Sequence, residues 1–85
     1  MRYTEERDSG YTVRVTRDKY LPVPGGVVAE ETNRRVWFEL PTEAIAYVHE
    51  EMQACCKGDD LTIVFRDELM EKEIEFTHTP DGTWL

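Results

Sequence analysis

Eighty-five residues support a single core, because a chain of this length buries only roughly 60–65% of the surface its unfolded form exposes. Apolar residues make up 40% and charged residues 33% of the chain, a composition that excludes a disordered polyelectrolyte. The longest apolar runs, four or five residues, fall far short of the roughly 20 that a bilayer-spanning helix needs. The net charge of −8 disfavours direct binding to the phosphate backbone of a nucleic acid.

The polar residues 1–10 read as a flexible lead-in and residues 11–85 as one domain. Tyr11, Val13 and Val15 alternate with Thr12, Arg14 and Thr16, the period-two pattern of a strand with one face on a core. Leu21-Pro22-Val23-Pro24-Gly25-Gly26 reads as a turn or exposed loop. Val27 to Glu31 and Arg34 to Leu40 follow as two strand segments, joined by a tight turn at Thr32-Asn33 or fused into one bulged strand. In the second segment Val36 and Phe38 claim the core, so alternation turns Trp37 to the opposite face.

A helix is expected over about Glu43–Lys57, capped by Thr42 and helped by Glu43 in its first turn. Ile45, Val48, Met52 and Cys55 form its apolar stripe, with Lys57 near the negative end and Gly58 closing it. Leu61 to Phe65 and Glu73 to Thr77 read as a C-terminal hairpin turning near Asp67 to Lys72. Thr79-Pro80-Asp81-Gly82 is turn chemistry that lets Trp84 fold back over an open end of the core. The expected fold class is α+β: a small antiparallel sheet of four or five strands, in the order β-β-(β)-α-β-β, with one helix on one face.

No pattern in the chain carries recognisable catalytic or metal-binding chemistry. His49 and His78 have no partner motif for acid–base work, and interface histidines are far commoner than catalytic ones. Burial in the helix stripe raises the pKa of a thiol, which makes Cys55 a core residue rather than a nucleophile, and Cys56 lies near the unfavourable negative helix end. The two cysteines are adjacent, without the two-to-four-residue spacing of structural zinc ligands. Their Cα atoms stand about 3.8 Å apart, too close for an unstrained disulfide. Free thiols in a reducing, cytoplasmic compartment are expected, with no cofactor. Gly25-Gly26 lacks the lysine and threonine of a phosphate loop.

The charge is unevenly placed. Seven acidic and seven basic residues precede Glu43, whereas eleven acidic and three basic residues occupy Glu43–Leu85. A surface of this sign favours a basic protein partner, although solubility alone also accounts for it. The expected contact residues are Glu71, Glu73 and Glu75, aligned on one side of the last strand, joined by Asp67, Glu68 and Trp37. The functional expectation is a non-enzymatic, protein-binding inhibitor or neutraliser of a basic, nucleic-acid-handling partner. Size and charge are compatible with antitoxins, immunity proteins and viral anti-defence proteins such as anti-CRISPR factors. Two alternatives stand beside it: a small enzyme or accessory subunit with a site near His49, Cys56 or His78, and a structural or homodimeric module using Trp37.

Overall fold

The computed structural model describes residues 9–85; residues 1–8 of the expected lead-in lie outside the described residues. Four strands and one helix follow in the order β1 (Tyr11–Val23), β2 (Gly26–Phe38), α1 (Pro41–Gln53), β3 (Asp60–Asp67) and β4 (Lys72–His78). The strands form one antiparallel sheet in the spatial order β2-β1-β3-β4. This is the expected α+β fold with the minimum strand count. Alternation places Val13, Val15, Val36, Leu61 and Ile63 beneath the helix, where Ala44 and Val48 complete the buried core and Phe38, Phe65 and Phe76 pack around it.

The first hairpin is longer than the sequence pattern suggests. β1 continues through Leu21 and Pro22 to Val23, and the loop shrinks to Pro24-Gly25 between the paired Val23 and Gly26. Proline followed by a glycine at φ 93° is the chemistry of a type II turn. Pro22 is tolerated because β3 pairs with β1 only as far as Asp18, so its missing amide can lie on the open side. Thr32-Asn33 is neither a turn nor a bulge: β2 pairs one-to-one with β1 along its whole length. Beyond Asp18 and Glu31 the hairpin is, among the described residues, a two-stranded arm. It stretches the molecule to 47 × 24 × 20 Å with a radius of gyration of 14.4 Å, against about 12 Å for a compact chain of this length.

The helix starts earlier and ends earlier than its pattern suggests. Pro41 occupies the first turn, where its fixed φ and absent amide cost nothing, and the cap is Leu40 in extended geometry without a side-chain hydrogen bond; Thr42 is not the cap. The last helical residue is Gln53, and Lys57 and Gly58 lie beyond it. The Asp59 carboxylate accepts a hydrogen bond from the Cys56 amide at 3.2 Å, and Gly58 at φ 101° turns the chain toward β3. The buried stripe is also rotated. Ala44 and Val48 are buried, Tyr47, Glu51, Met52 and Cys55 are half-buried, and Ile45 is 48% exposed. Alanine lets the helix approach the sheet closely, and Tyr47 meets Phe38 with ring centroids 5.5 Å apart. Size ranks isoleucine above alanine as a core residue, but fit reverses the order.

The C-terminal turn is tied at several points. The Gly82 amide donates to the Thr79 carbonyl at 3.0 Å, and the Asp81 carboxylate accepts from the Thr83 amide at 3.1 Å and from the Thr79 hydroxyl. Those donors hold the Asp81 carboxyl below its usual range. Trp84 then bridges to His78, with ring centroids 4.9 Å apart in an edge contact, and the Leu85 amide donates to the Thr77 carbonyl at 2.8 Å. The tail thus covers the end of β4 and leaves its first residues open.

Candidate functional site

β3 and β4 pair so that Arg66 stands opposite Glu73 and Val64 opposite Glu75. Both glutamates therefore lie on the sheet face that the helix leaves bare. Glu71 does not join them in the strand: it precedes Lys72 in a left-handed turn at φ 55°. Arg66 gathers the acids around itself. Its Nε donates to Glu68 at 3.0 Å and one Nη to Glu73 at 3.1 Å, and the other Nη lies 3.9 Å from Glu71. The Glu68 hydrogen bond raises the Arg66 pKa further, so the guanidinium stays charged throughout.

The five acidic residues expected to make contact separate into two groups. Glu68 is turned inward, with its side chain only 12% exposed. Asp67 is used structurally, its carboxylate accepting from the amides of Leu69 and Met70, both at 3.1 Å. Glu71, Glu73 and Glu75 remain exposed along β4 and its entry. Beside them stand Leu69, Met70 and Ile74, all large, apolar and exposed. Leu69 and Met70 fall in the turn expected near Asp67 to Lys72, and the hairpin register sets Ile74 opposite Phe65 on the helix-side face, away from Glu73 and Glu75.

Trp37 lies opposite Thr12 on the bare sheet face, as strand alternation requires. Its indole Nε1 donates to the Ser9 carbonyl at 2.9 Å, and Gly10 lies flat against the ring. Trp37, Asp67, Glu39 and Leu69 together line a cleft of about 710 Å³ at this end of the sheet. The fold thus brings Trp37 and Asp67 together, while Glu73 and Glu75 sit on the far strand. Across the bare face the row Arg35, Arg14, Val64, Glu75 runs from basic at β2 to acidic at β4.

His49 is exposed on the helix, whereas His78 is buried and its Nδ1 donates to the Asp59 carbonyl at 2.8 Å. That bond holds the loop between α1 and β3 against β4. Among the described residues no three histidine, cysteine or acidic side chains are grouped to hold a metal ion, and no helix is long and apolar enough to cross a membrane.

Both cysteines are free thiols, Cys56 exposed and Cys55 half-buried rather than fully buried. Burial, reinforced by the nearby Asp59 carboxylate, pushes the Cys55 thiol up. Thiol alkylation of the folded protein near neutral pH, mapped by peptide mass spectrometry, is therefore expected to modify Cys56 several-fold faster than Cys55. Equal rates would place Cys55 outside the helix–sheet interface.

No protein-family model, curated protein or solved structure matches this chain, so the reading of its surface rests on the chain's own residues.

Proposed function

We propose that the chain is a non-enzymatic protein-binding inhibitor whose acidic β4 edge occupies a basic groove on a larger, nucleic-acid-handling protein. The observation that carries this reading is the pairing of charge with apolar surface at one edge. Glu73 and Glu75 stand on the bare face of β4 with Glu71 beside them, Leu69 and Met70 are exposed in the adjoining turn, and Ile74 is exposed at the same edge on the helix-side face. Successive carboxylates on one strand face are roughly 6–7 Å apart, comparable to successive phosphates on a nucleic-acid strand. A phosphate-binding groove accepts such a row by charge, and the apolar residues supply the desolvated contact that charge alone does not. By size and charge this is the manner of action of antitoxins, immunity proteins and viral anti-defence proteins.

Charge reversal tests it. Glu73 is hydrogen-bonded to Arg66, whereas the exposed Glu71 only approaches it at 3.9 Å, so the substitutions that disturb the hairpin least are Glu71→Lys with Glu75→Lys, the latter opposite the neutral Val64. The immobilised protein is expected to retain a basic partner from lysate at low salt and to release it at high salt. The doubly substituted chain, with an unchanged thermal midpoint, should retain it about tenfold less or worse. Equal retention by the two chains would rule this edge out.

A further inference from the structure

We infer that the chain pairs with a second copy of itself through β2, in one defined antiparallel register centred on Thr32. β2 is an edge of the sheet: among the described residues it pairs only with β1. It is 13 residues long, has no proline and carries no bulge, so of the usual devices that blunt an exposed edge it carries only charges. On the helix-side face those charges follow a pattern that complements itself.

Two copies related by a two-fold axis perpendicular to the sheet keep their faces in common, so paired residues must have numbers of the same parity. Centring the axis on Thr32, the midpoint of Gly26–Phe38, overlaps the two strands completely. On the helix-side face β2 reads Val28, Glu30, Thr32, Arg34, Val36. Reversed against itself, Val28 meets Val36, Glu30 meets Arg34 and Thr32 meets Thr32. Opposite charges, matched apolar pairs and a threonine pair are each favourable directly across a sheet. Arg34 donates to the Tyr47 hydroxyl at 3.4 Å, which holds the guanidinium toward the helix side, and its remaining donors are available to a carboxylate.

The other edge fails the same operation. Centring β4 on its midpoint sets Glu75 against Glu75, two like charges directly opposed. Global charge is consistent with the choice of edge. Glu30, Glu31, Arg34 and Arg35 balance along β2, while β4, in the acidic half of the chain, is the far strand of the sheet. Pairing through β2 therefore keeps the two acidic edges at opposite ends of an eight-stranded sheet.

The pairing also places the arm. Val28, 50% exposed near its tip, comes beside the buried Val36 of the second copy. An isolated two-stranded ribbon is marginal in water, and the second copy supplies each arm with a third strand.

The test is sedimentation equilibrium of the full chain and its charge variants, with circular dichroism to confirm folding. The unmodified chain should dimerise reversibly. Glu30→Arg and Arg34→Glu should each weaken self-association about tenfold or more, because each creates two like-charge pairs at the two-fold interface. The doubly swapped chain should dimerise again, and an equimolar mixture of the two single variants should form a heterodimer. Register is read separately by oxidation in a Cys55→Ser, Cys56→Ser background. Thr32→Cys should cross-link to its own copy, since directly opposed strand residues meet disulfide geometry, whereas Asn33→Cys should not. A chain that remains monomeric at high concentration, or a dimer indifferent to these charges, would overturn the inference.

Discussion

Replacing Ile63 with alanine is expected to destabilise the fold by about 3–4 kcal/mol. Ile63 is fully buried in the inner strand β3, between Val15 of β1 and Phe76 of β4 and under the helix. It is among the largest side chains that the core encloses completely, and truncation leaves a cavity that a four-stranded sheet cannot close by small shifts. A chain of this length has total stability on the order of 4–13 kcal/mol, so this one side chain accounts for a quarter of it or more. The melting temperature should fall by roughly 12–32 °C. Urea denaturation measures the loss, with an unchanged slope showing that the same surface is exposed on unfolding. Ile45→Ala is the control: at 48% exposure it should cost about 1 kcal/mol or less. Similar losses at the two sites would mean that the helix presents Ile45 to the core instead of Ala44.

Gly10→Ala is expected to cost about 2–4 kcal/mol, although it adds one methyl group to a residue outside any strand. Two effects combine. Gly10 adopts φ 88°, a region that L side chains enter at a cost of roughly 1–2 kcal/mol. The added Cβ would also lie 2.5 Å from the Trp37 ring, so the indole must move and its Nε1 bond to the Ser9 carbonyl must break. The Glu68 amide donates to the Gly10 carbonyl at 3.0 Å, which anchors the segment and prevents it from yielding instead. In a Trp84→Phe background, Trp37 fluorescence should shift to the red as the indole is displaced. A double-mutant cycle separates the two effects: with Trp37→Ala present, Gly10→Ala should cost only the backbone part, reduced by about 1–2 kcal/mol. Strict additivity would show that the ring is not what excludes a side chain there.

Several elements were legible in the chain because local chemistry and burial agree there. Val13, Val15, Val36 and Ile63 alternate with polar residues, and each sits in the sheet with the parity that alternation requires. Helix existence followed from the spacing of Val48, Met52 and Cys55, which do face the sheet to differing degrees. Trp37 was legible for the same reason, since flanking core residues leave it only the other face. The α+β class followed from element order alone.

The remainder depended on what each element meets. Leu21-Pro22-Val23 carries loop chemistry in isolation, yet pairing with Gly26–Val28 makes it strand, because the ladder outweighs local propensity where the other side is open. Glu71 belongs to an acidic alternation in the sequence, but the hairpin closes at Lys72 and leaves it in the turn beside Arg66. Glu68 and Asp67 count as acids in composition, although one is bonded inward and the other caps a turn. Composition sums charges without regard to partners; the fold decides which of them face water.

The sequence by itself determined which residues alternate, that one helix follows the first strands and that the acidic excess belongs to the second half, because these properties depend on neighbours within a few positions. Tertiary structure alone decided the helix rotation that buries Ala44 in place of Ile45, the strand order that sets β2 and β4 at opposite edges, and the contact of Gly10 with Trp37. Those depend on packing and cross-strand pairing between residues far apart in the chain, for which no local pattern carries a signal.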